Sequence, residues 1–319
     1  MTVELLKRIA FALLLLWIVS FVIFFVMHSL PGDPILMWLG TEYDEALYDE
    51  LKSKYGLDKS LIHQYWVWLG NVLKGDLGKS LLTHTSISEE IKRRLPVTLE
   101  LVGLSMAFAI VVGVLGGIAS ALYHNRPADN AALTITLFGI SMPEFFLGAV
   151  LMLVFALHWP VLPATGFVRI SEDWVANLRH MIMPALALGF ARSAVICRLM
   201  RSSLLDVFGK HFIRTALAKG CTVREVLTRH ALKNALISVV TVIGMQVGYL
   251  MGGAIIVEQL FVIPGIGSFG INAILSRDYP GIQAFILTVA VIFVFVNFLV
   301  DLSYSIIDPR IRYGQGRGR

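Results

Sequence analysis

Ile9 to Leu30 is a run of 22 residues without a single Asp, Glu, Lys or Arg. A segment of this kind leaves few folds open, because about 20 consecutive apolar residues make a helix that crosses the ~30 Å hydrocarbon core of a bilayer. Lys7 and Arg8 precede the run, as in a secretory signal. Yet it outruns the roughly 7–15 apolar residues of a signal's core, and no small-x-small cleavage site follows. The segment is expected to be retained as a transmembrane helix.

Five more apolar stretches, 97–122, 132–157, 181–199, 236–257 and 283–307, read as further spans. The fourth is the weakest, since Arg192 interrupts it. Hydrophobic residues make up 56% of the chain and charged residues 15%, against about 25% charged in an average soluble domain. The expected fold class is therefore an all-α polytopic membrane protein with six transmembrane helices. A net charge of +5 does not point to nucleic acid, because its distribution follows membrane topology. Lys7, Arg8, Arg126, the eight Lys/Arg from Arg198 to Lys233, and Arg310, Arg312, Arg317 and Arg319 share one face if the spans number six. Basic residues gather on the cytoplasmic flanks of spans, so both termini are expected inside. Cys197 and Cys221 fall on that same side, where thiols stay reduced, and form no disulfide framework.

The expected organisation is an N-terminus and first span over 1–30, an external region over 31–96, and a core over 97–307 with a cytoplasmic loop at 200–235. A cytoplasmic tail follows at 308–319. The external region opens on Pro31-Gly-Asp-Pro34, which stops a helix. Within it, Leu61, Tyr65, Trp66, Trp68, Leu69 and Leu73 suggest an amphipathic helix lying over the span ends. Trp and Tyr favour that boundary; a small packed cap with no ligand role reads equally well.

Glycines at a period of four, Gly244, Gly248 and Gly252 on the fifth span and Gly113 and Gly117 on the second, let helix backbones approach closely. The fifth span is thus expected to be a contact helix, within the chain or across a subunit boundary. Polar groups at membrane depth are Glu144, Arg192, Gln246, Asn297 and Asp301. Such groups usually face protein or a water-filled path. They are the candidates for lining a translocation path, with helix–helix hydrogen bonding or snorkelling as the alternative for each. Glu100 reads as structural, a first-turn anion on the second span.

The most informative polar segment is Arg214-Thr-Ala-Leu-Ala-Lys-Gly220, continuing to His230-Ala-Leu-Lys-Asn-Ala-Leu236. Ala216, Leu217, Ala218 and Lys219 are strong helix formers, and Gly220 suits the left-handed residue after a helix end. Thr222-Val-Arg-Glu225 matches a capping box that starts a new helix. The segment is expected to be helix, glycine corner, helix, with small side chains that seat in another protein's groove. Arg214, Thr215, Ala216, Lys219, Gly220, Arg224, Glu225 and His230 are the candidate contact residues. By pattern alone, the alternative is a basic loop touching anionic lipid.

This segment resembles the ATPase-docking loop of ABC-importer permeases, in particular the peptide/nickel group. So do Pro31-Gly-Asp-Pro34, Tyr55-Gly-Leu-Asp58, Gly75-Asp-Leu-Gly78, Leu95-Pro-x-Thr-Leu-Glu100 and Arg201-Ser-Ser-x-Leu-Asp206. Pro264-Gly-Ile-Gly267, Arg277-Asp-Tyr-Pro280, Val300-Asp-Leu302 and Asp308-Pro-Arg-Ile-Arg312 continue the match in family order. The resemblance implies a type I importer permease fold and the first of two paired permease subunits in a bacterial inner membrane. Its implied partners are a second related permease, two ATPase subunits inside that bind ATP and Mg, and an external solute-binding protein. Membrane lipid surrounds the chain. The loop at 211–233 would be the coupling helix. Dipeptides and oligopeptides lead as solutes, followed by nickel or a nickel chelate and glutathione. Arg214 stands where the broader motif has Glu, and Lys233 where it has Pro; both are usual for the peptide/nickel group.

Enzymatic readings fail on spacing. Gly78-Lys79-Ser80 ends like a phosphate-binding loop, but Leu73 occupies the position of its first glycine. No Gly-x-Ser-x-Gly or His-Glu-x-x-His occurs, and the eight histidines show no ligand spacing. No catalytic residue, metal ligand or resident cofactor is expected in the chain. A secondary, ion-coupled transporter is the competing class; it calls for internal repeats and an ion site at broken helices, and no repeat is evident in the six spans.

Overall fold

A computed structural model of the chain describes residues 2–29, 45–46, 48, 52 and 58–307. Pro31-Gly-Asp-Pro34 and the tail from Asp308 lie outside the described residues. The helices are α1 (Thr2–Ser29), α2 (Leu61–Leu73), α3 (Ile87–Leu122), α4 (Pro127–Ser141), α5 (Glu144–His158), α6 (Trp174–Phe208), α7 (His211–Ala218), α8 (Val223–Phe261), α9 (Ile266–Leu275) and α10 (Tyr279–Ile307). The all-α expectation holds. An isolated antiparallel bridge between Lys79 and Ser86 is the only strand-like pairing among the described residues.

Leu6–Ser29 of α1, α3, α6, α8 and Tyr279–Leu299 of α10 are each long and apolar enough to cross a bilayer. The expected third span is corrected: 132–157 is not one helix. It divides into α4 and α5, which meet at 103°. Pro143 causes the break, since it lacks an N–H and its ring pushes the preceding residue out of helical geometry. Met142 is accordingly extended, at φ −87° and ψ 123°. The sixth span exists only if this bent pair is counted as one.

The chain divides into two compact units. The first comprises Met1–Thr98 and Pro264–Phe295. Here the aromatic residues of α2 pack along the last turns of α1, not over its end as expected. Tyr65 is buried, its Oη 3.0 Å from the Ser20 Oγ, and its ring meets Phe21 and Phe24 edge-on. Ile23 and Met27 of α1 form a cluster with Ala273 of α9 and Ile282 of α10. Several family-like motifs serve as ties in this unit. Thr98 Oγ1 accepts from the Ile266 N–H at 2.8 Å, which joins the segment after Leu95-Pro to the turn after Pro264. The Asp278 carboxylate accepts from the Leu81 N–H at 3.1 Å. Ser88 Oγ donates to the Gly75 carbonyl at 2.8 Å and accepts from the Leu77 N–H at 3.0 Å.

The second unit comprises Leu99–Ile263 and Val296–Arg319. Its centre is α6, against which α4, α5 and α8 pack. The helix spans 35 residues, Trp174 to Phe208, or about 52 Å at 1.5 Å per residue. It therefore extends well past both ends of the expected 181–199. Asp173 begins it by accepting from the Val175 and Ala176 N–H groups at 2.9 and 3.0 Å. Glycines on α3 bring that helix against α6. A Cβ at Gly113 would lie 2.7 Å from the Ser193 carbonyl oxygen, and one at Gly117 would lie 2.6 Å from that of Cys197. Gly189 of α6 answers from the other side, facing the Ser105 carbonyl of α3.

Glu100 requires a second correction. Because α3 begins at Ile87, its first-turn acids are Glu89 and Glu90. Glu100 lies more than three turns past Ile87, out of reach of the terminal dipole.

Candidate functional site

The loop between α6 and α8 has the corner that its sequence demands. Lys219 caps α7, and Gly220 follows with φ +87°, the left-handed region that glycine alone enters without steric cost. The Gly220 N–H donates to the Leu217 carbonyl at 3.0 Å and the Cys221 N–H to that of Ala216 at 3.2 Å. These are the two bonds of a Schellman ending. Thr222 then opens α8. Its hydroxyl accepts from the Glu225 N–H at 3.3 Å, while Glu225 Oε2 accepts from the Thr222 N–H at 2.8 Å. The reciprocal pair is a complete capping box.

Two features of the loop differ from expectation. The second helix does not end: it runs on to Phe261, passing through a π-helical stretch at Val226–Ala231 that contains Arg229 and His230. Ala216 is the other correction. Three residues after Ile213 on α7, it shares the inward face, and both are buried. Ile213 and Ala216 join one cluster with Ala109 and Ala121 of α3, Ile196, Met200 and Leu204 of α6, and Val226, Ala231 and Val239 of α8. A small side chain here brings α7 down onto the protein's own core. The outward surface belongs to Phe212, Leu217 and Val223, the last 63% exposed, beside Arg214, Thr215, Lys219, Arg224 and Glu225. His230 is half-buried.

Beside that cluster is a polar anchor that the sequence did not reveal. Asp129, in the first turn of α4, is 1% exposed. It receives the Arg201 guanidinium, the Ser120 hydroxyl at 2.5 Å and the Asn125 N–H at 2.9 Å. His124 Nδ1 lies 3.2 Å from its second oxygen. Arg201 begins one of the family-like motifs, but its partner stands 72 residues earlier with no pattern to mark it.

Three of the five candidate path residues come together in the second unit. Arg192 Nη2 donates to Glu144 Oε1 at 2.6 Å, and Nη1 reaches Gln246 Oε1 at 3.5 Å. Arg192 is therefore held by other helices and does not extend along its own toward an edge. The Arg192 Cζ lies 5.5 Å from the centre of the Tyr249 ring. Arg192 and Gln246 sit near the middles of α6 and α8, and Glu144 is the first residue of α5, at its break with α4. Asn297, half-buried on α10, makes no hydrogen bond to this group among the described residues. The side chain of Asp301 lies outside the described residues.

The glycine stripe of α8 divides. Gly244 is buried and Gly248 half-buried, but Gly252 is exposed, with nothing within 4 Å of where a Cβ would stand. Within the chain, close packing falls to its neighbour Gly253, whose Cβ would overlap the Glu144 carboxylate and approach Leu188. The period of four picks out Gly252, but its neighbour faces a direction about 100° away, and that is the side on which the chain packs closely.

Comparison with known proteins places this geometry. Residues 113–313 match the family model of the binding-protein-dependent transport system inner membrane component, and residues 1–102 match that of the N-terminal part of such components. The chain belongs to that family. It is 40% identical over 307 residues to the glutathione transport system permease protein GsiC of Escherichia coli O6:H1, which covers 96% of this chain and 98% of that one. The protein of the same name in Pectobacterium atrosepticum is also 40% identical, over the same shares. An inward-facing structure of the MetNI methionine ABC transporter matches with a TM-score of 0.56 and 16% identity, over 68% of this chain and 96% of that chain. At that identity the likeness establishes the type I importer permease fold.

The chain is thus a multi-pass inner-membrane permease of the peptide/nickel group, a transport component and not itself an enzyme. Membership implies a solute-binding protein and ATPase subunits as partners. Of the groups that build this geometry, sequence reading missed Asp129, Tyr249 and Gly253. Tyr249 carried one usable signal, three residues beyond Gln246 and so on the same side of α8.

Proposed function

We propose that this permease forms half of an import path for short peptides, glutathione foremost, and that α7 with its glycine corner couples the path to ATPase subunits. The observation that carries the substrate class is the 40% identity to glutathione transport permeases along 96% of the chain. Glutathione is itself a short peptide, so it falls within the solutes that the motifs imply. In this reading both termini are cytoplasmic, residues 31–96 are external, the loop at 200–235 is cytoplasmic, and a second, related permease supplies the other half of the path.

The construction of the loop supports a lever. Its outer surface combines exposed Phe212, Leu217 and Val223 with basic Arg214, Lys219 and Arg224, suited to an apolar groove with an acidic rim. Its inner face shares one core with α3, α6 and α8. A push on α7 from an ATP-driven closure is then delivered directly to the span ends, because packed cores shift between discrete arrangements and do not deform continuously.

The test is uptake of labelled glutathione and of a dipeptide into vesicles bearing the whole importer, with the binding protein outside and ATP inside. Uptake that needs both ATP and the binding protein supports the reading. Uptake that persists without nucleotide and collapses with an ion gradient replaces it with a secondary transporter.

A further inference from the structure

The Glu144–Arg192 pair is an unusual way to fasten helices. Both side chains remain partly open, 17% and 20% exposed, with Arg192 at the middle of a span and Glu144 at the break of the bent pair α4–α5. Charged groups at that depth do not face lipid; they turn to protein or to a watery cavity. The pair borders a cleft of about 340 Å³ lined by Ile140, Met142, Pro143, Glu144, Arg192 and Ile256. That volume lies within the ~300–1,000 Å³ range of small-molecule pockets. The Met142–Pro143 break lines the cleft, and non-helical backbone at membrane depth occurs only where it is covered by protein or lines such a cavity.

The guanidinium is also under-used. Nη2 holds Glu144 and Nη1 has only the 3.5 Å contact to Gln246, while Nε is buried and has no hydrogen-bond partner among the described residues. A planar fork with donors to spare is what a carboxylate takes in bidentate fashion. On the other side, Gly253 leaves the space that the Glu144 carboxylate occupies. Tyr249, 64% exposed, presents its ring to the cation.

We propose that this cleft is a solute subsite that reads the two main-chain charges of a peptide. Arg192, assisted by Gln246, takes the peptide's carboxylate, and Glu144, released from Arg192, takes its ammonium group. The exchange replaces one ion pair by two and leaves the net charge of the cleft at zero throughout. No uncompensated charge is therefore left at membrane depth, the arrangement that would be most costly. The inference rests on the peptide-importer reading above.

The test uses the complete importer in vesicles, with ATP inside and the binding protein outside. Three solutes are compared: alanyl-alanine, its C-terminal amide and its N-acetyl derivative. The binding protein's own preferences are common to every variant, so ratios between solutes report on the permease. Arg192→Gln should lower alanyl-alanine uptake at least tenfold and amide uptake much less, moving their ratio toward the amide. Glu144→Gln should move the ratio toward the N-acetyl derivative. If Arg192→Gln does not assemble, Arg192→Lys, which keeps the charge and loses the fork, serves in its place and should shift the ratio in the same direction. A pair that merely fastens helices would lower all three solutes in proportion. It would also work when reversed, so full uptake by the double variant Glu144→Arg/Arg192→Glu overturns the subsite, as do unchanged ratios in the single variants. Wild-type vesicles that take up glutathione but none of the three with ATP would overturn the subsite alone, and vesicles that take up none of the four would bring down the peptide-importer reading with it.

Discussion

Arg201 grips both carboxylate oxygens of Asp129, Nε to Oδ1 and Nη2 to Oδ2, at 2.7 Å each. The fork joins α6 to the first turn of α4, and Ser120 and the Asn125 N–H bring in the end of α3 and its turn. Three elements are thereby fastened at one buried carboxylate, next to the core that carries α7.

Asp129→Ala should therefore be among the most damaging single changes in the chain. Removing one partner of a buried pair strands the other charge, at about 3–5 kcal/mol. The melting temperature of the detergent-solubilised complex measures it. Asp129→Ala together with Arg201→Met should recover part of the loss, because no charge is then left alone. A double variant as unstable as the sum of the singles would mean that the two residues act separately.

Close packing of α3 on α6 gives a second expectation. Gly117→Leu sets a side chain against the Cys197 carbonyl, a backbone atom that cannot rotate away, and overpacking typically costs about 1–3 kcal/mol. Gly252→Leu meets nothing within the chain. Heat-induced unfolding of the chain purified alone should separate them clearly, with Gly252→Leu near wild type. If Gly252→Leu instead blocks association with a second permease, the exposed glycine is a contact between subunits.

At the corner, Gly220→Val forces a β-branched residue into left-handed backbone, at about 1–2 kcal/mol. The chain should still insert but should retain less ATPase on co-purification, and binding-protein-stimulated hydrolysis should fall. Arg214→Glu reverses an exposed charge without touching the backbone and should weaken the same capture. Wild-type values in both variants would return the loop to a lipid-surface role.

Thr222→Ala removes one half of the capping box and should cost about 1 kcal/mol at the start of α8. Hydrogen exchange is the sensitive measurement, with faster exchange confined to the first turn of α8. Uniformly faster exchange along α8 would mean that the cap supports the whole helix.

Sidedness depends on whether the bent pair α4–α5 crosses. Single cysteines replacing exposed Lys74 and Lys210 in a thiol-free chain should differ in labelling by an impermeant reagent on intact spheroplasts. Label at position 74 alone agrees with an external 31–96 and a cytoplasmic loop. Label at 210 alone inverts the orientation.

What the sequence determined by itself was whatever local chemistry dictates. Charge-free runs specify bilayer-spanning helices because no polar group needs satisfying outside the helix. Gly220 and the Thr222/Glu225 pair specify a corner and a helix start because those bonds close within a few residues. Pro143 breaks the third apolar stretch, but the apolar pattern on either side concealed it and 132–157 read as one span. The tertiary structure decided everything that depends on which face of a helix meets which neighbour. Arg192 could be seen as a costly charge, but its partners Glu144 and Gln246 lie 48 and 54 residues away. Asp129 and Arg201 carry no mark of each other, and Ala216 reads as an offered contact until Ile213 turns the same face inward. Gly252 and Gly253 differ only by the rotation of one residue about the helix axis. Periodicity identifies a stripe; the packed neighbours alone choose which of its members they touch.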